Sequence, residues 1–470
     1  MRKTKIVATI SGNEASVDFI DRLYRAGMNV ARLNTAHLDH DQALMMVNNI
    51  RKVSSKIGIL LDTKGPEIRT CDTGRPLTVS HGDYVRIKGA PKEVSLDDTI
   101  CVSYPHFSED VPVGSSVLID DGMVALTVMK REGPSLVCHV ENDGVIHGKK
   151  SVNIPSVHVK LPALSDKDMA FIEFAADHDL DFIAHSFVRS AADVVAVQKI
   201  LDRKNSPIKI IAKIENAQGI DHLDEILDHA YGVMIARGDL AVEIPTEQIP
   251  MVQKDIIRRC IERRRPVIVA TQMLHSMITS PRPTRAEVSD VANACLDRAD
   301  AVMLSGETAN GKYPEESVQT MAAIALDVES KISTFNDIPY PDENRVTAYL
   351  AKSAVKSALR LETRAIVADT VTGRAIRALA AYRGDNPIHA QVYEARGVRE
   401  LSLSYGVNAD FIDTSDPDQC PLKRAVAGLI EEKYVREDDL IIILAGSFGP
   451  AQGASYIEIA PAGQLAQKKN

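Results

Sequence analysis

Eight short apolar, β-branched runs recur along the first two thirds of the chain, and segments of helical length separate most of them. The runs lie at 5–10, 29–33, 58–62, 182–185, 209–213, 232–236, 266–271 and 301–304. Helical patterns cover 15–26, 39–54, 191–203, 220–230, 246–263 and 285–296. A last one, 314–330, opens with Pro314 at a first helical position, where a missing N–H costs nothing. Parallel strands need crossover connections, and eight β units with helical crossovers close into a (β/α)8 barrel. The predicted class is therefore α/β.

Two intervals depart from this period. From 70 to 156 there is no long helical pattern, only short alternating runs at 84–87, 116–119, 126–129 and 136–140 separated by Gly, Pro and Asp. That predicts an all-β insert after the third barrel strand, with the barrel itself covering 1–69 and 157–332. The Pro- and Asp-rich stretch 335–344 predicts a linker. Beyond it, a helix at 346–361 and strands at 365–368, 388–392, 440–444 and 456–459 predict a separate α/β unit over 345–470. Three units agree with 470 residues at about 150 per domain.

Composition narrows the function classes. The net charge of −9 and the lack of a dense basic run argue against nucleic acid as a partner. Six scattered cysteines contain no C-x-x-C pair, so neither a zinc knuckle nor a disulfide framework is expected. The apolar run after the basic N-terminus stops at Ile10, short for a signal peptide. The longest uncharged stretch, 440–457, is broken by Gly446, Pro450, Gln452 and Gly453, so no membrane span is expected. The expected compartment is the cytoplasm.

Active sites of such barrels form at the C-terminal strand ends. The second run ends at Arg32 and Asn34, the third at Asp62, Thr63 and Lys64, and the fourth near Ser186. The fifth ends at Lys213 and Glu215, the sixth leads into Arg237, Gly238 and Asp239, the seventh ends at Thr271, and the eighth reaches Ser305 and Glu307. Period two puts Lys213 and Glu215 on one side of their strand, toward the barrel mouth. Glu215 and Asp239 end adjacent strands and suit Mg²⁺, which seldom uses an all-protein cage. Arg32, Arg69, Lys213 and Arg237 add positive charge. Carboxylates, a metal and several cations are the means of phosphoryl transfer, although a surface ion-pair network gives a similar pattern. The segment 306–313 nearly fits a phosphate-binding P-loop, but Tyr313 stands where that loop needs a hydroxyl for Mg²⁺. By local spacing alone, His37 and His40 read as surface histidines.

With these residues in view, the chain resembles the pyruvate kinases along nearly its whole length. The resemblance rests on TKIVATI at 4–10, LDTKGPEIRT at 61–70, KIEN at 213–216, MIARGDLAVEIP at 234–245 and ATQML at 270–274. PRPTRAE at 281–287 and MLSGE at 303–307 add to it. It implies a barrel, a β lid and a C-terminal effector domain. It also implies phosphoryl transfer from phosphoenolpyruvate to ADP, then protonation of the enolate to pyruvate. By resemblance, Lys213 stabilises the migrating phosphoryl group, and Glu215 and Asp239 hold Mg²⁺ (or Mn²⁺). Arg32 and Arg69 clamp phosphate, Ser186 lies on the phosphoenolpyruvate side, and Gly238, Asp239 and Thr271 bind the carboxylate. Thr271, Ser305 and Glu307 form a proton relay. His37, Lys150, Asn34 and Arg69 face the nucleotide. Asn34, Asp62 and Thr63 hold K⁺, a requirement that goes in the family with a Glu at the position of Glu67.

Several positions depart from the family pattern. NTAH at 34–37 has Ala36 where a serine ligand to K⁺ is usual. The lid hinge 149–156 has Ser151 and Ser156 in place of glycines, and His185 stands where a small residue is common. In the C-terminal unit, Thr370, Thr372, Gly373 and Arg374 resemble a sugar-phosphate effector turn, while the loop 446–453 differs from the family's. A homotetramer is expected by resemblance. The alternative is a catalytically silent binding protein on the same scaffold.

Overall fold

The structure is a computed structural model that describes residues 1–155, 157–332, 335–341, 343–412, 420–446 and 453–466. Eight parallel strands close into a barrel: β1 (Lys5–Ile10), β2 (Val30–Asn34), β3 (Gly58–Asp62), β4 (Phe182–His185), β5 (Lys209–Ile214), β6 (Gly232–Ala236), β7 (Val267–Ala270) and β8 (Ala301–Leu304). Each pairs with its chain neighbours, and β8 closes on β1 with Lys5 opposite Ala301.

The alternation of side chains inside this barrel explains where the chemistry sits. Val7, Val30, Leu60, Ala184, Ile211 and Met303 share one buried apolar cluster. Two residues further along the same strands stand Thr9, Arg32, Asp62, Ser186, Lys213 and Ser305. A period of two carries both sets to the same face, so an apolar plug is capped at the mouth by a polar layer. The opposite faces, including Ile6, Ala31, Ile59, Ile183 and Ala212, pack under the helices.

The structure departs from the sequence reading at several elements. Helix Asp166–Asp177 begins in a capping box in which Ser165 and Asp168 bond each other's backbone amides. Its polar first turn and clustered apolar residues blur the helical period. The span 220–230 divides into helices Ala217–Asp221 and Leu223–His229. Strand Val407–Phe411 carries Asn408 and Asp410, poor strand formers, and survives at a sheet edge. The P-loop-like segment folds differently from a P-loop: Gly306–Ala309 makes one helical turn and Lys312 is exposed.

Between β3 and helix Asp166–Asp177 the insert forms a six-stranded sheet and a two-stranded ribbon, with its own core around Ile87, Ile100, Phe107 and Leu126. The hinge residue Ser156 and position 342 of the linker lie outside the described residues. Beyond the linker, strands Val407–Phe411, Ile388–Val392, Ala365–Thr370 and Leu440–Ala445 are parallel in that order, and Tyr456–Pro461 adds antiparallel. This sheet unit docks on the N-terminal face of the barrel. Arg383 pairs with Asp300 at 2.6 Å, Arg399 with Asp181 at 2.6 Å, and Lys5 donates to the Val407 carbonyl at 2.5 Å. Arg383 and Asp300 are almost wholly buried. Asp300 also accepts from the backbone amides of Val267 and Tyr405, so its charge is fully compensated. Among the described residues, no helix is long and apolar enough to cross a membrane.

Candidate active site

The mouth of the barrel collects the charged residues that follow the apolar plug. Lys213 Nζ lies 2.7 Å from Ser186 Oγ, 2.9 Å from Glu215 Oε1 and 3.1 Å from Asp62 Oδ1. Arg32 pairs with the other Asp62 oxygen at 2.6 Å and donates to Thr9 Oγ1 at 3.0 Å. Asp62 and Glu215 are 1% exposed, and Arg32 and Lys213 9%. Charges so far from water persist only with close partners. Burial alone would push Asp62 up, but Lys213 and Arg32 hold it below the usual carboxylate range. Burial alone would lower Lys213, yet Asp62 and Glu215 raise it above the ordinary lysine value. The ammonium is therefore charged throughout the neutral range.

The second carboxylate pair is less well compensated. Glu215 is pushed up by burial, held back by Lys213, and pushed up again by Asp239. Asp239 is pushed up by burial, held back by Lys213, and raised further by Asp121 of the insert. Two hard oxygen donors that repel each other in a buried site suit a divalent cation, which would relieve the repulsion. The backbone helps to aim them. Phe187, at φ 55°, donates its amide to Glu215 Oε2 at 2.7 Å. Gly65 sits at φ 73°, where a Cβ would lie 2.7 Å from the Ser186 Cβ, so only glycine lets the two strand ends approach.

Thr271 follows β7 at φ 71°, and Gln272 follows at φ 54°. A β-branched residue in the left-handed region is strained and persists only where its surroundings over-determine it. Here they do. Thr271 Oγ1 accepts from the Gly238 amide at 2.7 Å and donates to the Ala270 carbonyl at 2.6 Å. Arg237 donates to the Thr271 carbonyl at 2.8 Å and pairs with Asp290 at 2.7 Å. Arg237 thus braces this turn on the face where its positive charge is expected, with that charge paired to Asp290. Glu307 also reads as a brace, since its oxygens accept from the backbone amides of Leu274 and Ser305 at 3.1 and 2.8 Å.

Above the mouth, a cavity of about 420 Å³ separates barrel and insert. Its lining includes Arg69, Asp239 and Glu243 below and Asp121, Lys150 and Asn153 above. Arg69 bonds Glu67 at 2.7 Å and the Lys149 carbonyl. Lys150 pairs with Asp120 at 3.1 Å, and Asn153 reaches Glu243 at 3.1 Å. Asn34 and Asp62 are register partners on β2 and β3. Asn34 Oδ1 accepts from the Ala36 amide at 3.1 Å, and the Thr63 carbonyl accepts from Ser186 Oγ at 2.7 Å. His37 is exposed beside this edge and is not part of the cavity wall. In the C-terminal unit, Thr370 Oγ1 accepts from the Gly373 amide at 2.9 Å and Thr372 is exposed. Arg374 turns away from that turn to Asn344 at 3.1 Å. Residues 447–452 of the last loop lie outside the described residues.

Sequence reasoning missed several contributors. Thr9 caps Arg32, Asp168 accepts from the amides of Lys64 and Gly65 at 3.0 and 3.3 Å, and Asp121 faces Asp239. Only Asp168 had a local signal, its capping-box spacing from Ser165.

Fold and site define a (β/α)8-barrel phosphotransferase. A family model described as pyruvate kinase, barrel domain, matches residues 1–318, and one described as pyruvate kinase, alpha/beta domain, matches 349–460. A pyruvate kinase from Borreliella burgdorferi is 44% identical over 97% of this chain and 96% of that protein. One from Bacillus licheniformis is 42% identical over 100% of this chain and 82% of its own. A crystal structure of a pyruvate kinase from Cryptosporidium parvum superposes with a TM-score of 0.92 at 36% identity, covering 98% of this chain and 96% of that one. The chain belongs to the pyruvate kinase family.

His185, beside Ser186, generates a pH prediction. It is wholly buried, and both ring nitrogens lack hydrogen-bond partners among the described residues. Burial lowers its pKa to about 4, against the opposing pull of Asp193 and Asp168, while Lys213 and Arg189 add to the lowering. The unfolded chain therefore binds a proton near pH 6.5 that the folded chain refuses until about 4. Stability attributable to this group should fall as pH drops through that window, by about 3 kcal/mol in full. Thermal melting of His185→Leu between pH 7 and 4 should show a shallower decline than the parent. Parallel declines would show that His185 is not the titrating group.

Proposed function

We infer that this chain transfers the phosphoryl group of phosphoenolpyruvate to ADP, giving pyruvate and ATP. The observation that carries the reading is the charged, buried Lys213 held between Asp62, Ser186 and Glu215 at the mouth of a family barrel. An ammonium fixed there is pre-aimed at charge developing on a migrating phosphoryl group and needs no reorganisation during the reaction. Arg32, oriented by Asp62 and Thr9, and Arg69, at the cavity wall, are our phosphate clamps. The intact set of Lys213, Glu215, Asp239 and Thr271 weighs against a silent scaffold.

Mg²⁺ (or Mn²⁺) would be held by Glu215 and Asp239, and it would supply charge neutralisation at substrate oxygens. Gly238, Asp239 and Thr271 would bind the substrate carboxylate, in exchange for the hydrogen bond that the Gly238 amide gives Thr271 Oγ1. A threonine hydroxyl is too weak an acid to protonate the enolate unaided, so we assign Thr271 to a relay through water, with Ser305 and Glu307 fixing the adjoining turn. Residues 70–156 act as the lid, bringing Lys150 over the nucleotide and excluding water. Residues 1–69 and 157–332 form the catalytic barrel. Residues 345–470 would carry a sugar-phosphate effector at Thr370, Thr372, Gly373 and Arg374 and support a homotetramer. His37 and Asn34 stand on the nucleotide side.

Lys213→Met should lower turnover at least about 10³-fold, the loss expected for a main transition-state donor, while phosphoenolpyruvate binding falls far less. Parent-like turnover in that variant, read from pyruvate formation at saturating substrates, would contradict the role.

K⁺ would be held by Asn34, Asp62 and the Thr63 carbonyl. The Thr35 hydroxyl does not stand in for the missing serine, because it donates to the Asp62 carbonyl at 2.9 Å and is buried there. Glu67, bonded to Arg69, leaves a carboxylate where an ammonium could otherwise replace the ion's charge. Ala36→Ser should lower the K⁺ concentration for half activation by about two- to tenfold, the worth of one added ligand. The titration sets KCl against tetramethylammonium chloride at constant ionic strength, which separates binding from screening. An unchanged midpoint would show that Ala36 does not border the ion.

A further inference from the structure

The chain enters the insert through residues 69–71, and this segment meets strand Thr99–Val102 in one isolated antiparallel bridge, Thr70 opposite Val102. The Cys71 amide donates to the Cys101 carbonyl at 2.8 Å, and the Ser103 amide donates to the Arg69 carbonyl at 2.8 Å. That register sets Cys71 directly opposite Cys101. Opposed residues of an antiparallel pair send their side chains to the same face, with Cα atoms about 5.5 Å apart where the pair is hydrogen-bonded. A disulfide accepts Cα separations of roughly 4.4–6.8 Å.

Both sulfurs lie over the same short connection. Cys71 Sγ donates to the Ala90 carbonyl at 3.3 Å, and Cys101 Sγ to the Val94 carbonyl at 3.8 Å. Burial raises the Cys71 thiol above its ordinary value, and the nearby Cys101 adds to the rise. Cys101 is buried, while Cys71 is only half-buried and open to a small oxidant. Opposed Cβ atoms stand up to about 5.5 Å apart, and a disulfide needs about 3.5–4.5 Å, so closure requires a local twist of roughly 1 Å. The bridge permits it. The Cys101 amide is bonded to Ser95 Oγ at 3.0 Å and not back to Cys71, so no continuous ladder holds the two residues apart.

We propose that Cys71 and Cys101 form a reversible disulfide when the protein meets a peroxide, clamping the entry segment of the insert to the insert's own sheet. The Cys71 thiolate attacks one oxygen of hydrogen peroxide, the O–O bond breaks, and the departing hydroxide takes a proton to leave as water. The Cys71 sulfenic acid is then attacked by the Cys101 sulfur. The S–S bond forms, the S–O bond breaks, and a second water leaves. Two thiols lose two electrons in total, and one peroxide is reduced to two waters. The thiols are protonated at rest, so this is a slow sensor and not a peroxidase. The clamp reaches both connections of the insert, because the Thr70 amide donates to the Lys150 carbonyl at 2.8 Å and the Lys149 amide donates to the Thr70 carbonyl at 3.0 Å. The inference rests on the insert's geometry and not on the catalytic reading.

The test treats the full chain with hydrogen peroxide, blocks it with iodoacetamide and digests it without reductant for mass spectrometry. Peptides joined at Cys71 and Cys101 should appear, lighter by two hydrogens than the reduced peptides together, and dithiothreitol should separate them. Backbone hydrogen exchange at 69–71 and 149–151 should slow at least about tenfold on oxidation and recover on reduction, as a cross-link opposing local opening requires. Cys101→Ser should show neither the joined peptides nor the slowed exchange. The cross-link is read on the parent chain, so the result does not depend on how the variant folds. Four results would overturn the proposal: oxidation of Cys420 with Cys71 and Cys101 still unjoined, joined peptides that dithiothreitol does not separate, exchange unchanged by the cross-link, or the same slowing in Cys101→Ser.

Discussion

A lysine ammonium buried among carboxylates is the interaction on which the rest of this site depends. Taking Lys213 out of water is tolerable only because Asp62 and Glu215 stand at 3.1 and 2.9 Å, and Asp62 in turn is tolerable only because Arg32 holds its other oxygen. The barrel supplies this arrangement without long loops. Arg32, Asp62, Ser186 and Lys213 each stand two residues beyond an apolar residue of the interior plug, so closing the sheet brings four strand ends to one place, and Glu215 follows two residues beyond Lys213. Removing any one member leaves a neighbour's charge unpaired, which couples the stability of the mouth to its chemistry.

The two faces of the barrel use buried charge differently. At the N-terminal face, Asp300 and Asp181 are neutralised by Arg383 and Arg399 and fix the C-terminal unit in place. At the C-terminal face, compensation is left incomplete: Glu215 and Asp239 repel each other, and Lys213 is shared among three partners. The strained Thr271 turn lies on that same face, held by Arg237 and the Gly238 amide. Satisfied charges make a joint, and unsatisfied ones make a binding site.

Much of this was legible in the sequence because period two and strand-end position are local properties. The eight strands follow from their apolar, β-branched runs, the insert from its alternating ones, and the shared face of Lys213 and Glu215 from period two. What escaped depended on contacts distant along the chain. Thr9 reaches Arg32 across 23 residues, and Asp168 reaches Lys64 across 104. The bracing role of Arg237 needed the positive φ of Thr271, which no spacing announces. Arg374 was readable as part of a phosphate turn, and its contact with Asn344 across 30 residues was not. Strand Val407–Phe411 was hidden by its Asn and Asp, tolerated at an edge where one side of the ladder stays open.

The central claim is that this mouth performs phosphoryl transfer between phosphoenolpyruvate and ADP. The most direct measurement is the stoichiometry of products formed by the purified chain from those two substrates with Mg²⁺ and K⁺ present. The account predicts one pyruvate and one ATP for each phosphoenolpyruvate consumed, with none formed when ADP is omitted. Phosphoenolpyruvate that binds but yields no pyruvate, or that yields pyruvate and free phosphate without ATP, would contradict it.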